Sequence, residues 1–178
     1  MNWQLIFKNQ QKLDANIEEN HPRKEGEDRL LKKVVALQVE LAEMAQEHKC
    51  FKFWKVDQRP NTKVLVHPTM NDEDKQYKNP LLEEFIDVVH FVASVGLELG
   101  IKEIEIVQVN DKTVLEFFRD IFNSASQLGY GKDKFNMFQT VISHVTALGA
   151  KLGFTSDQIM EAYKQKNATN FERQANGY

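Results

Sequence analysis

Asn79-Pro80 and Gly100 bracket a segment that has little freedom to fold as anything but a helix. Asparagine caps helix N-termini, proline at the first helical position loses no hydrogen bond, and glycine suits the C-terminal cap. Between them Leu81, Leu82, Phe85, Val88, Val89 and Val92 form a broad apolar face, while Glu84, Asp87 and His90 step down the other side at intervals of three. The chain has four prolines and eight glycines, most of them at the ends of helical patterns. The expected fold is all-α: a bundle of about five to six helices with no substantial sheet.

The other elements follow by the same reading. Residues 3 to 18 place Trp3, Ile6, Phe7, Leu13 and Ile17 at loosely helical spacing. A second helix is expected from about Glu25 to His48, with Val34, Leu37, Leu41 and Met44 as its apolar stripe and Glu25/Arg29 and Asp28/Lys32 as favourable ion pairs. Residues 49 to 78 lack a sustained period and carry turn formers at Pro60-Asn61, Pro68 and Asn71-Asp72, so they read as a long loop with room for a short strand or hairpin at Lys63 to Val66. The alternation in "KEIEIVQV", residues 102 to 109, reads as a short strand for which no partner is evident. A fourth helix starts at Asp111 or Thr113 and ends near Gly129-Tyr130-Gly131; a fifth runs from Asp133 to about Leu152. Thr155 with Gln158 makes a capping box for the last helix, which carries Ile159, Ala162 and Tyr163. The whole of 1–178 reads as one domain.

At 178 residues such a domain buries roughly two-thirds of its unfolded surface without staples. Apolar content of 42% and charged content of 28% exclude a disordered chain, and a net charge of −3 argues against a nucleic-acid surface. Cys50 is the single cysteine, so no intrachain disulfide forms. No leader pattern and no apolar run long enough to span a membrane is visible, which sets a cytoplasmic expectation with no nucleic-acid and no membrane partner.

Chemistry enters with two pairs of acids. Glu40 and Glu43 lie three apart on the second helix, about 60° around it, with no lysine or arginine three or four residues away. Like charges at that spacing cost a few tenths of a kcal/mol. Glu84 and Asp87 repeat the pattern on the third helix, and residues 79 to 89 hold no base. Either pair alone is ordinarily a solvated helix face. Packed antiparallel by their apolar stripes, the two helices bring four oxygen donors together, a set suited to hard divalent cations and above all to Mg²⁺. Near the C-terminus Lys166, Asn170 and Arg173 share one helix edge and offer an ammonium, an amide and a guanidinium to phosphate oxygens.

These features together resemble the dimeric all-α dUTPases, relatives of the MazG-like nucleoside triphosphate pyrophosphohydrolases. The likeness rests on "QKLD" at 11 to 14, "ELAE" at 40 to 43, "FKFWK" at 51 to 55, "EEFIDVVHF" at 83 to 91 and "KNATNFERQANGY" at 166 to 178. It implies that Glu40, Glu43, Glu84 and Asp87 ligate two or more Mg²⁺ ions, with Glu43 also orienting the attacking water. Lys166, Asn170 and Arg173 would hold the phosphate chain in a C-terminal segment, 163–178, that is mobile without nucleotide. Gln11, Asp14 and Trp54 would form the uracil pocket and His90 would approach the sugar. The implied reaction is hydrolysis of dUTP to dUMP and pyrophosphate by attack at the β-phosphorus, extending to dUDP and limiting uracil incorporation into DNA, in a homodimer. A dCTP-directed or broader MazG-like hydrolase is the alternative, and a non-enzymatic helical adaptor is the alternative of another class.

Overall fold

The computed structural model describes residues 1–67 and 72–177. The turn formers Pro68 and Asn71 lie outside the described residues. Six α-helices make up the bundle: α1 (Trp3–Asn20), α2 (Arg29–His48), α3 (Pro80–Glu98), α4 (Val114–Leu128), α5 (Lys134–Lys151) and α6 (Ser156–Ala175). A two-stranded antiparallel ribbon, β1 (Val64–Leu65) and β2 (Tyr77–Lys78), is the only sheet among the described residues. The molecule is an all-α bundle, as the helical periods predict.

Local chemistry sets the helix ends. Asn79 accepts from the Leu82 N–H and Pro80 opens α3. At the other end Gly100 takes a left-handed φ of +72°, which only glycine adopts without strain. Thr113 with Glu116 and Thr155 with Gln158 form reciprocal capping boxes on α4 and α6. The start of α2 differs from expectation. Gly26 turns the chain at φ +74° and the Asp28 carboxylate accepts from the Leu31 N–H at 2.9 Å, so the helix begins at Arg29 rather than near Glu25. Asp28 is therefore a cap and not the partner of Lys32. Glu27, not Glu25, meets Arg29 at 2.7 Å and Lys32 at 3.0 Å.

Residues 102 to 109 do not form a strand. They run irregularly along α5, where the Val107 N–H donates to Ser143 Oγ and Gln139 donates to Glu105. Ile104 and Val109 of this segment, with Ile101 just before it, pack on the core without a second strand, while Ile106 and Val107 stay exposed. A short strand does form within Lys63 to Val66, but its partner lies beyond that span, with Val64 opposite Lys78 and Leu65 opposite Tyr77. Asn61 ties the long loop down: its side chain donates to Glu47 and accepts from Lys49, and its carbonyl accepts from the Leu81 N–H.

α3 is the central helix, packed against α1, α2, α5 and α6. Close approach needs glycine at two points. A Cβ on Gly96 would lie 2.6 Å from the Phe138 ring and 2.7 Å from that of Phe7, and one on Gly149 would lie 2.6 Å from Phe85. α2 runs antiparallel to α3: Lys33 near its start reaches Glu98 at the end of α3, while Glu40 stands beside Glu84 and Asp87. Val34, Leu37, Leu41 and Met44 are all buried along this contact. Leu37→Ala should lower stability by about 2–5 kcal/mol through lost burial and a residual cavity. Urea denaturation checks this, and a loss under about 1 kcal/mol would mean that this stripe does not hold α2.

Candidate active site

Between α1, α2, α3 and α6 lies a cavity of about 640 Å³. Each helix contributes one face. On α2, Lys33, Ala36, Glu40 and Glu43 follow one another at intervals of three or four and line it together. On α3, Glu84, Asp87, His90 and Ser94 do the same, and on α6 Lys166, Asn170 and Arg173 close the remaining side.

One end of the cavity is acidic. Carboxylate oxygens of Glu40, Glu84 and Asp87 lie within 4.8 Å of one another. Glu43 lines the same cavity outside that tight group, and its charge raises the proton affinity of all three. Burial, reinforced by the neighbouring carboxylates, pushes Glu40 and Glu84 up to about 7. Burial likewise raises Asp87, against the pull of Lys166, whose ammonium donates to Asp87 Oδ2 at 2.5 Å. The side chain expected to bind phosphate thus serves as a counter-charge for the acids. Glu47, next along the α2 face, is bound to Asn61, though its field still raises Glu84.

The donor set fits a hard divalent cation. It consists of carboxylate oxygens, half-buried and already short of positive charge, with a lysine drawn onto one of them. Glu40, Glu84 and Asp87 would hold such an ion, with Glu43 at its margin.

The other end is neutralised. Asp14 accepts from Gln10 Nε2 at 2.7 Å, Ser94 Oγ at 2.7 Å and Lys33 Nζ at 3.0 Å. Lys33 also meets Glu98 at 3.0 Å, and Arg23 holds Glu98 through two parallel bonds of 2.7 and 2.9 Å. That fork brings Glu98 down to about 2. His90 is 5% exposed, joined through Nδ1 to Gln10 Oε1 at 2.8 Å and stacked on Tyr163 at 4.3 Å. Burial lowers it to about 3, so the ring is neutral.

Two expected residues lie elsewhere. Gln11 is exposed on α1 and outside the cavity; Gln10 is the glutamine that lines it, because a one-residue step turns a helical side chain by about 100°. Trp54 is 61% exposed, edge-on to Phe51 and Phe53 in the loop after α2, and does not line the cavity. Gln10 had a signal in the sequence: with Ile6, Leu13 and Ile17 it occupies the apolar stripe of α1, where a glutamine needs a partner. Ser94 and Lys33 extend the polar faces of α3 and α2 by one and two turns in the same way.

A helical bundle with paired carboxylates on adjacent antiparallel helices, in a cavity also lined by a lysine, an amide and an arginine, suits metal-assisted chemistry on phosphorylated substrates. A family model described as dUTPase matches residues 2–68 and 70–178, and the chain belongs to this all-α dUTPase family. Its activity is that of a dUTP diphosphatase. No curated protein matches the chain.

The raised acids carry a pH dependence. Glu40 and Glu84 bind protons more tightly folded than unfolded, so the folded state holds more protons between about 4.5 and 7. Their contribution is fully present below the unfolded value and is lost as pH rises through about 7. The melting temperature in EDTA should therefore fall between pH 5 and 8. Mg²⁺ should restore it at pH 8 and have little effect at pH 5. A metal effect equal at both values would mean that protons and metal do not share these carboxylates.

Proposed function

We propose that dUTP is hydrolysed in this cavity, with its phosphates at the acidic end and its nucleoside toward Gln10 and His90. A single arrangement carries the reading: Glu40, Glu84 and Asp87 converge in the cavity that Lys166, Asn170 and Arg173 also line, with Lys166 in contact with Asp87. Acids alone would repel a triphosphate and bases alone would not position a nucleophile. When bound, Mg²⁺ neutralises the phosphate charge and lets water approach. In this reading the carboxylate set holds two or more ions. Glu43, within the cavity but outside the tightest group, is the side chain that orients the attacking water. The products are dUMP and pyrophosphate, and dUDP is accepted by the same phosphate contacts.

Lys166 leaves Asp87 for the phosphates in this scheme, joined by the amide of Asn170 and the guanidinium of Arg173. The C-terminal part of α6 suits such movement, since beyond Tyr163 it buries no residue. The chain acts as a homodimer in this reading. An apolar groove between α2 and α4, lined by Cys50, Phe51, Phe118 and Phe122, is the surface a second copy would cover, and Phe53 and Trp54 beside it are 85% and 61% exposed.

Glu43→Gln keeps size and hydrogen bonding but removes the charge. Turnover of dUTP with Mg²⁺ should fall at least about a hundredfold with helix content unchanged. Near-normal turnover would place Glu43 outside the chemistry. A panel of dUTP, dUDP, dCTP and UTP, assayed with and without Mg²⁺, tests the substrate assignment directly.

Deleting 165–178 removes the three side chains proposed to bind phosphate and, among the described residues, no core residue. The truncated protein should remain helical by circular dichroism and hydrolyse dUTP at a small fraction of the original rate. Full activity after truncation would rule out the phosphate role of Lys166, Asn170 and Arg173.

A further inference from the structure

The hydrogen bonds around Asp14 run in one direction only. A carboxylate accepts and does not donate, so the Gln10 side chain must turn its NH₂ toward Asp14 Oδ1, which it meets at 2.7 Å. Its carbonyl oxygen then faces His90 Nδ1 at 2.8 Å. Two acceptors cannot bond, so Nδ1 carries the ring proton. In a neutral imidazole the other nitrogen, Nε2, is then a bare lone pair. That atom is buried and has no hydrogen-bond partner among the described residues, although His90 forms part of the cavity wall. A buried acceptor left open in this way is unfavourable until something donates to it.

We propose that Asp14 is a positioning residue: acting through Gln10, it fixes His90 as the Nδ1–H tautomer and so presents Nε2 as an acceptor for a hydrogen-bond donor on the bound nucleoside. Asp14 acts at one remove: Gln10, Ser94 and Lys33 occupy three of its acceptor directions, and its effect on His90 passes through the Gln10 amide. Two nucleoside groups have the required chemistry, the sugar 3′-hydroxyl and the N3–H of uracil. This inference rests on the dUTPase reading for the identity of the ligand but not for the tautomer.

The direction of the relay depends on Lys33. An amide at position 14 would keep its oxygen toward the Lys33 ammonium and the Ser94 hydroxyl and turn its NH₂ toward Gln10. Gln10 would then reverse, its own NH₂ would meet His90 Nδ1, and the ring proton would move to Nε2. Asp14→Asn, nearly isosteric, thus converts Nε2 from acceptor to donor.

Long-range ¹H–¹⁵N NMR of the metal-free protein, with the His90 signal assigned by its loss in His90→Phe, reads the tautomer directly. Wild type should hold Nδ1–H, Asp14→Asn should hold Nε2–H, and Gln10→Met, which cuts the relay, should give a mixture. An unchanged tautomer in Asp14→Asn overturns the relay whether or not the protein hydrolyses dUTP.

The second arm uses kcat/KM for dUTP, its 2′,3′-dideoxy analogue and its N3-methyl analogue. Asp14→Asn should cost tenfold or more on dUTP, and that cost should vanish on whichever analogue lacks the donor that Nε2 contacts. An equal cost on all three overturns the acceptor role. If wild type hydrolyses none of them, the dUTPase reading fails while the NMR result still decides the relay.

Discussion

The packing of α2 against α3 fixes everything that the cavity does. Each of Leu37, Leu41, Phe85, Val88 and Val89 is fully buried, and burial of such a side chain stabilises by roughly 1.5–3 kcal/mol. Summed over the two stripes this far outweighs the few tenths of a kcal/mol that like charges cost on an isolated helix. The apolar faces therefore decide the rotation of both helices, and the acids flanking those faces must meet. Their repulsion is not relieved by sliding or turning, since either would expose the stripe. It persists as a demand for positive charge, answered in part by Lys166.

Three glutamates on these two helices illustrate how much the setting decides. Glu40 and Glu84 are pushed up to about 7, whereas Glu98 at the far end of α3 is held down at about 2. The difference lies in the setting: burial, reinforced by other carboxylates, for the first two, and the Arg23 fork with Lys33 for the third. The groups lining the cavity therefore run from acids short of positive charge at one end to ion pairs already satisfied at the other. A phosphorylated nucleoside is itself polar in this sense, with a charged tail that requires cations and a neutral head that requires directed hydrogen bonds. In the proposed binding mode the gradient would orient it before any single contact is made.

Much of this was legible in the residues because helix geometry converts spacing into direction. Caps at Asn79, Thr113, Asp133 and Thr155 are local signals, and they mark helix starts correctly. The acid pairs were legible for the same reason. The reading failed where two local rules competed. Charge spacing from Glu25 suggested an early start to α2, but the backbone at Gly26 and the cap at Asp28 prevailed. Of the alternating apolar residues at 102–109, Ile104 and Val109 pack on the bundle while Ile106 and Val107 are exposed, which does not require a ladder. Gln10 and Gln11 could be separated only by the phase of the α1 stripe, and the ties from Lys33 to Ser94 and Glu98 span more than sixty positions, beyond any local rule.

The Asp14 network also shows why a salt bridge can matter to recognition without touching a ligand. A glutamine and a histidine in sequence can donate in either direction along their shared bonds, and the two arrangements differ little in energy if their ends are indifferent. Direction appears only when one end is restricted to accepting. Asp14 supplies that restriction and pairs with the Lys33 ammonium, with Glu98 and Arg23 balancing the lysine in turn. A chain of ion pairs at the margin of the cavity thereby selects which of two chemically opposite faces His90 turns to its occupant. Burial of the ring completes the effect, because a neutral imidazole has one donor and one acceptor to distribute, whereas an imidazolium would have only donors.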